Sequence, residues 1–141
     1  MGSKGDGKRR RPRKTAEESF ATEEPRNYES STPKFCLHHL QDGFRVSDLH
    51  WEQQQDFALA LQTRCSLTWQ QIATNGRHAL GYEFIPADQI IPPIPRVFED
   101  AARFMVFRYS GFLPMAGVRV QDVFQIVWIE AKFGDLYDHG S

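Results

Sequence analysis

The sequence predicts an α+β fold: two N-terminal helices packed on a C-terminal antiparallel sheet of three to five strands, preceded by a disordered tail. Three observations predict it. Large apolar residues avoid the N-terminus, with ten of the eleven phenylalanines at or after Phe35 and all three tryptophans at or after Trp51. Apolar residues at helical spacing run at length once, between Leu49 and Cys65. Dense apolar runs separated by turn residues fill positions 104–130.

The tail is assigned to residues 1–34 and a single domain to residues 35–141. The tail holds mostly Gly, Ser, Lys, Arg, Glu and Pro, and Phe20 and Tyr28 are its aromatic residues. Such a segment buries too little apolar surface to offset its ordering entropy. The rest of the chain is long enough to build a core without disulfides or a metal. Charge follows the same division. Residues 1–14 carry seven basic side chains against Asp6 alone, whereas residues 35–141 carry eight basic and twelve acidic ones, within a 141-residue chain of net charge −1.

Taken in order, Phe35–Leu40 reads as an edge strand or a docked extended segment, ended by the Asp42-Gly43 turn. Ser47 or Asp48 can cap the first helix. Trp51, Gln54, Phe57, Ala58, Leu61 and Cys65 then form its apolar stripe, with Glu52, Gln53, Gln55, Asp56 and Gln62 opposite. Thr68 and Gln71 make a capping box for a short second helix, Trp69 to about Thr74, stopped at Asn75-Gly76. Tyr82, Phe84 and Ile90 suggest a short strand and an irregular stretch. Four prolines keep residues 86–96 from forming a long regular element, and one helical turn is expected over Glu99–Ala102. Phe104–Tyr109 is a strand and Ser110-Gly111 a turn. Met115–Val120 and Val123–Glu130 flank Gln121-Asp122 as a hairpin. Val123, Gln125, Val127 and Ile129 should share one face, and Phe124, Ile126 and Trp128 the other. Both faces are largely apolar, which makes this strand central. Leu136–Asp138 is expected to add a final short strand.

Composition excludes several classes. Cys36 and Cys65 make no CxxC pair and read as reduced thiols. No apolar run approaches the roughly 20 residues that span a bilayer. A soluble, cytoplasmic protein without a membrane partner is therefore expected. Cys36, His38, His39 and His50 match no zinc spacing, so no metal or other cofactor is expected.

Four features carry candidate chemistry. The basic run Lys8, Arg9, Arg10, Arg11, Arg13 and Lys14 can neutralise a phosphate backbone without a fixed structure; it also reads as a solubilising tail. Arg77 and His78 sit in a connection between Gly76 and Gly81, where a cation and an imidazole can meet a nucleic acid; a solvated turn is the plainer account. Arg108 and Arg119 interrupt apolar strands, so each must reach solvent, a carboxylate such as Asp100, Glu130 or Asp138, or a bound anion. Tyr137, Asp138 and His139 bring a phenol, a carboxylate and an imidazole together, the elements of acid–base catalysis near neutral pH. No activated Ser or Cys nucleophile is recognisable.

The segments from Thr68-Trp69 through Arg77–Glu83, then Phe104–Arg108, Met115–Arg119, Val123–Trp128 and Tyr137–His139, resemble a group of small uncharacterised bacterial proteins over most of residues 35–141. More distantly the chain is similar to the RelE/ParE-like toxin superfamily of small α+β domains. That resemblance implies a toxin-like domain that inhibits translation or a related nucleic-acid process, as an mRNA endoribonuclease. It implies Arg108, Arg119, Tyr137 and His139 as catalytic residues, RNA or the ribosome as target, and a cognate antitoxin as partner. The acidic domain departs from the basic character of ribosome-dependent RNases. The alternative is a non-catalytic protein- or nucleic-acid-binding module, including an antitoxin or immunity type.

Overall fold

The computed structural model describes residues 27–76 and 79–140. The basic run from Lys8 to Lys14, and Arg77 and His78, lie outside the described residues. Strand β1 (Lys34–Cys36) precedes helices α1 (Trp51–Cys65) and α2 (Trp69–Ala73), and strands β2 (Tyr82–Pro86), β3 (Arg103–Ser110), β4 (Leu113–Val120) and β5 (Val123–Ile129) follow. The strands form one sheet in the order β1-β5-β4-β3-β2. The fold is α+β, as the sequence predicts.

Several local signals act as expected. Thr68 Oγ1 accepts from Gln71 N at 3.1 Å and Gln71 Oε1 accepts from Thr68 N at 2.9 Å, completing the capping box of α2. Gln121-Asp122 closes the β4–β5 hairpin with Val120 opposite Val123. Gln121 takes φ 61 there, the only non-glycine residue with positive φ among the described residues. β5 is central, flanked by β1 and β4.

Other expectations change. The sheet is mixed, because β1 runs parallel to β5 while the other pairs are antiparallel. Lys34 anchors that pairing: its N donates to Asp122 O at 2.9 Å and its Nζ meets Asp122 Oδ2 at 2.8 Å. A three-residue strand carries no sequence mark of its direction. The folded unit also starts before Phe35. Asn27 caps a 3-10 turn at Tyr28–Ser30, Glu29 ion-pairs with Arg119 at 2.8 Å, and Ser31 O accepts from Trp69 N at 2.9 Å. These polar anchors replace the apolar burial whose absence assigned residues 27–34 to the tail. The single turn falls at Arg96–Phe98 rather than Glu99–Ala102. Leu136–Asp138 is no strand, because its backbone turns to serve a buried carboxylate described below.

The faces differ too. On α1 the buried residues are Gln53, Phe57 and Arg64, while Trp51 is 70% exposed. The stripe is rotated because two polar side chains find hydrogen-bond partners inside. Gln53 Nε2 donates to Ala131 O at 2.9 Å, and Arg64 donates to the carbonyls of Ala60 (3.0 Å), Leu80 (3.1 Å), Arg108 (3.2 Å) and Ala79 (3.5 Å). On β5 an irregularity opposite Ala116 and Gly117 inserts one extra residue. Phe124, Ile126 and Ile129 therefore face the helices, and Val127 and Trp128 face away. A Cβ at Gly117 would stand 1.9 Å from Gln125 O, so the distorted ladder admits only glycine there.

Two cores result. Between helices and sheet lie Phe57, Trp69, Ile72, Phe107, Met115 and Phe124. On the far face Phe104, Val106, Trp128, Leu136 and Tyr137 pack under irregular segments that include Phe44, Ile90 and Phe98. The proline-rich stretch and the C-terminus thus cover the sheet face opposite the helices.

Candidate functional site

The C-terminal cover builds a polar site from a buried carboxylate outward. Glu130 follows the last residue of β5 and is fully buried. Its Oε2 accepts from Leu136 N at 2.8 Å and Gly134 N at 3.2 Å, and its Oε1 meets His139 Nε2 at 2.9 Å. The chain curls around the carboxylate because those amides would otherwise be unsatisfied. Burial raises the Glu130 pKa, while the Leu136 N–H, the His139 charge and the Gly134 N–H oppose the rise. Tyr109 Oη donates to Glu130 O at 2.7 Å, and burial, with Glu130 and Asp56 adding to it, pushes that phenol well above its ordinary pKa.

His139 is fixed on every side. Its ring stacks on Phe133 at 3.9 Å and on Tyr137 at 4.2 Å, between the two rings, with Nε2 turned to Glu130. Two N–H donors on Oε2 favour the ionised carboxylate, which accepts from Nε2–H, so in the neutral form of the ring Nδ1 is the nitrogen with the lone pair. A carboxylate-oriented imidazole of this kind can exchange a proton through its other nitrogen.

His139 and Tyr137 line a cavity of about 160 Å³ with Glu83, Ile85, Arg108 and Asp138. Arg108 reaches it from β3, near the ring of Phe112 at 5.1 Å and 3.9 Å from Glu83 Oε2. Arg64, buried behind it, holds the Arg108 carbonyl. Pro114 stands opposite Arg108 across the ladder and has no N–H to give. Burial lowers the Arg64 pKa from 12.5 to about 10, so it remains a cation at neutral pH.

Of the four residues proposed for catalysis from the sequence, Arg108, Tyr137 and His139 thus share one cavity. Arg119 does not. It lies on the helix side of the sheet, over the Trp69 ring at 4.1 Å, paired with Glu29 and donating from Nε to Gln121 O at 2.7 Å. Alternation along β4 sets that side, two and four residues on from Gly117 and Met115, and Glu29, from the segment assigned to the tail, supplies its anion. The chemistry of Arg77, His78 and the Lys8–Lys14 run lies outside the described residues. No cluster of three or more His, Cys, Asp or Glu able to hold a metal occurs among the described residues. No helix among them is long and apolar enough to cross a membrane.

Sequence reasoning missed the organising role of Glu130 and the whole role of Arg64. Their signal was present: each is a charge set among residues that bury, one following Trp128-Ile129 and the other beside Leu61 on α1. No protein-family model matches this chain, and neither a curated protein nor a solved structure matches it.

Proposed function

We propose that this domain is a toxin-like endoribonuclease whose chemistry sits in the Arg108–Tyr137–His139 cavity. The supporting observation is the convergence there of a guanidinium, a phenol and an imidazole held by a buried carboxylate. In RNA cleavage the 2′-oxygen attacks the adjacent phosphorus, its proton passes to a base, and the leaving 5′-oxygen takes a proton. His139 Nδ1 is the base in this reading, and the Tyr137 phenol supplies the second proton. Arg108 neutralises charge on the non-bridging oxygens. The cytoplasm, where mRNA and ribosomes are found, is its place of action, and a cognate antitoxin its restraint. Two carboxylates in the same lining, Glu83 and Asp138, favour a second reading, a binding module for a cationic partner.

The test is cleavage of single-stranded RNA, free and on ribosomes, by wild type and by Arg108→Gln and His139→Gln variants with unchanged far-UV circular dichroism. Loss of each side chain should slow cleavage by about 10²-fold or more. Intact RNA with wild type in both settings, or equal cleavage by the variants, would sink the catalytic reading.

A further inference from the structure

On the helix side of the sheet, beyond the reach of α2, lies a second concavity of about 310 Å³. Tyr82 and Phe84 of β2 wall it, Met105 and the backbone of Gly117 line its floor, and Arg103 and Arg119 flank it. Its chemistry differs from the rest of the surface. Residues 35–141 carry twelve acidic side chains against eight basic ones. Two of those cations converge here, and none of the lining residues is acidic, Glu29 meeting Arg119 from outside the lining.

The side chains are already arranged as a stacking platform. The Arg103 guanidinium lies 3.7 Å above the Phe84 ring, and Phe84 is 38% exposed. Tyr82 meets Phe84 edge to face at 5.6 Å. Arg103 makes no ion pair among the described residues, so its only contact of note is with this ring. Arg119 is held in place by Trp69, Gln121 O and Glu29, and the Glu29 carboxylate occupies the position an anionic oxygen would take.

We propose that this groove binds single-stranded RNA, with a base stacked at Phe84 and Tyr82 and backbone phosphates on Arg103 and Arg119. Flat π-faces beside guanidinium groups are what unpaired nucleotides require, and a duplex offers no free base face to stack. The topology joins the groove to the cavity. β2 is the outermost strand, with Tyr82 and Phe84 on the groove side and Glu83 and Ile85 on the cavity side. An RNA strand passing around that edge touches both. The proposal rests on the RNA-directed reading above, but binding is measurable without cleavage.

The experiment is fluorescence anisotropy with a labelled 12-nucleotide single-stranded RNA and with the same sequence as a duplex. The protein is the full chain carrying His139→Gln, so that the RNA survives. Phe84→Ala and Arg103→Gln should each weaken single-strand binding about tenfold, whereas Phe84→Tyr should retain it. The duplex should bind more weakly than the single strand. A third protein, with Lys8, Arg9, Arg10, Arg11, Arg13 and Lys14 all replaced by Gln, should lose affinity but keep its sensitivity to Phe84→Ala. Unchanged affinity in the correctly folded Phe84→Ala and Arg103→Gln proteins overturns the proposal, as does equal binding of duplex and single strand. Cleavage of RNA by the wild type without groove dependence would leave the catalytic reading standing and remove this one; groove-dependent binding without cleavage would do the reverse.

Discussion

Replacing Arg64 with Met tests how the second half of α1 is held. The side chain is 1% exposed and donates to four carbonyls, three of them outside α1, of which Leu80 O at 3.1 Å and Arg108 O at 3.2 Å make the two shorter bonds. Methionine fills much of the same volume but donates nothing. Each orphaned buried carbonyl costs about 1–3 kcal/mol, so the pair costs about 2–6 kcal/mol. Removing a desolvated cation and adding apolar contact returns part of this, leaving a net loss of about 2–4 kcal/mol. Urea denaturation followed by tryptophan fluorescence reads the difference directly, since Trp69 and Trp128 are fully buried. Arg64→Lys should also destabilise, because a single ammonium cannot span acceptors arranged for a planar fork. A Met variant within about 0.5 kcal/mol of wild type, the range of ordinary surface substitutions, would refute the reasoning.

Three further outcomes follow from specific contacts. Trp69 Nε1 donates to Asp122 O at 3.2 Å, whereas Trp128 Nε1 is buried without a partner, so Trp69→Phe should cost about 1–2 kcal/mol more than Trp128→Phe in the same urea assay. Gly117→Ala should destabilise by about 2–4 kcal/mol, because the added methyl meets strand backbone that cannot move aside; a thermal midpoint unchanged from wild type would contradict this. Burial raises the Glu130 pKa above 4.5, so the folded state holds that proton more tightly than the unfolded chain. The stability this contributes is full below pH 4.5 and fades as pH rises through the raised value, so the advantage of wild type over Glu130→Gln should shrink over the range above pH 4.5. Urea midpoints across that range showing a constant or growing advantage would count against it.

The sequence was most legible where a signal is local. Thr68 and Gln71 cap α2, and the Gln121-Asp122 turn falls where two apolar runs meet it. It was least legible where the decisive contact is distant. Periodicity on α1 counted Gln53 as solvent-facing and gave Arg64 no place on the apolar stripe, because helical spacing records hydropathy and not the carbonyls that wait across the core. Strict alternation on β5 failed beyond Ile126, since one bulged residue moves Val127 beside Trp128. The same division holds for the site. Arg108, Tyr137 and His139 were readable as polar groups that need a reason, and they share a cavity. Glu130, which orients His139, was read only as a counter-ion for an arginine. Arg119 looked equivalent to Arg108 in sequence, and alternation along β4 together with Glu29 sets it on the other side.

The parallel pairing of the first and fifth strands has a kinetic meaning. Lys34 and Asp122, which secure it, stand 88 residues apart in sequence. The four antiparallel strands β2 to β5 can zip up from local contacts as they are synthesised, but the opening strand has no edge to join until β5 exists. Neither the cavity ordered by Glu130 and His139 nor the anchored N-terminal turn can therefore form before residues 119–139 have been made.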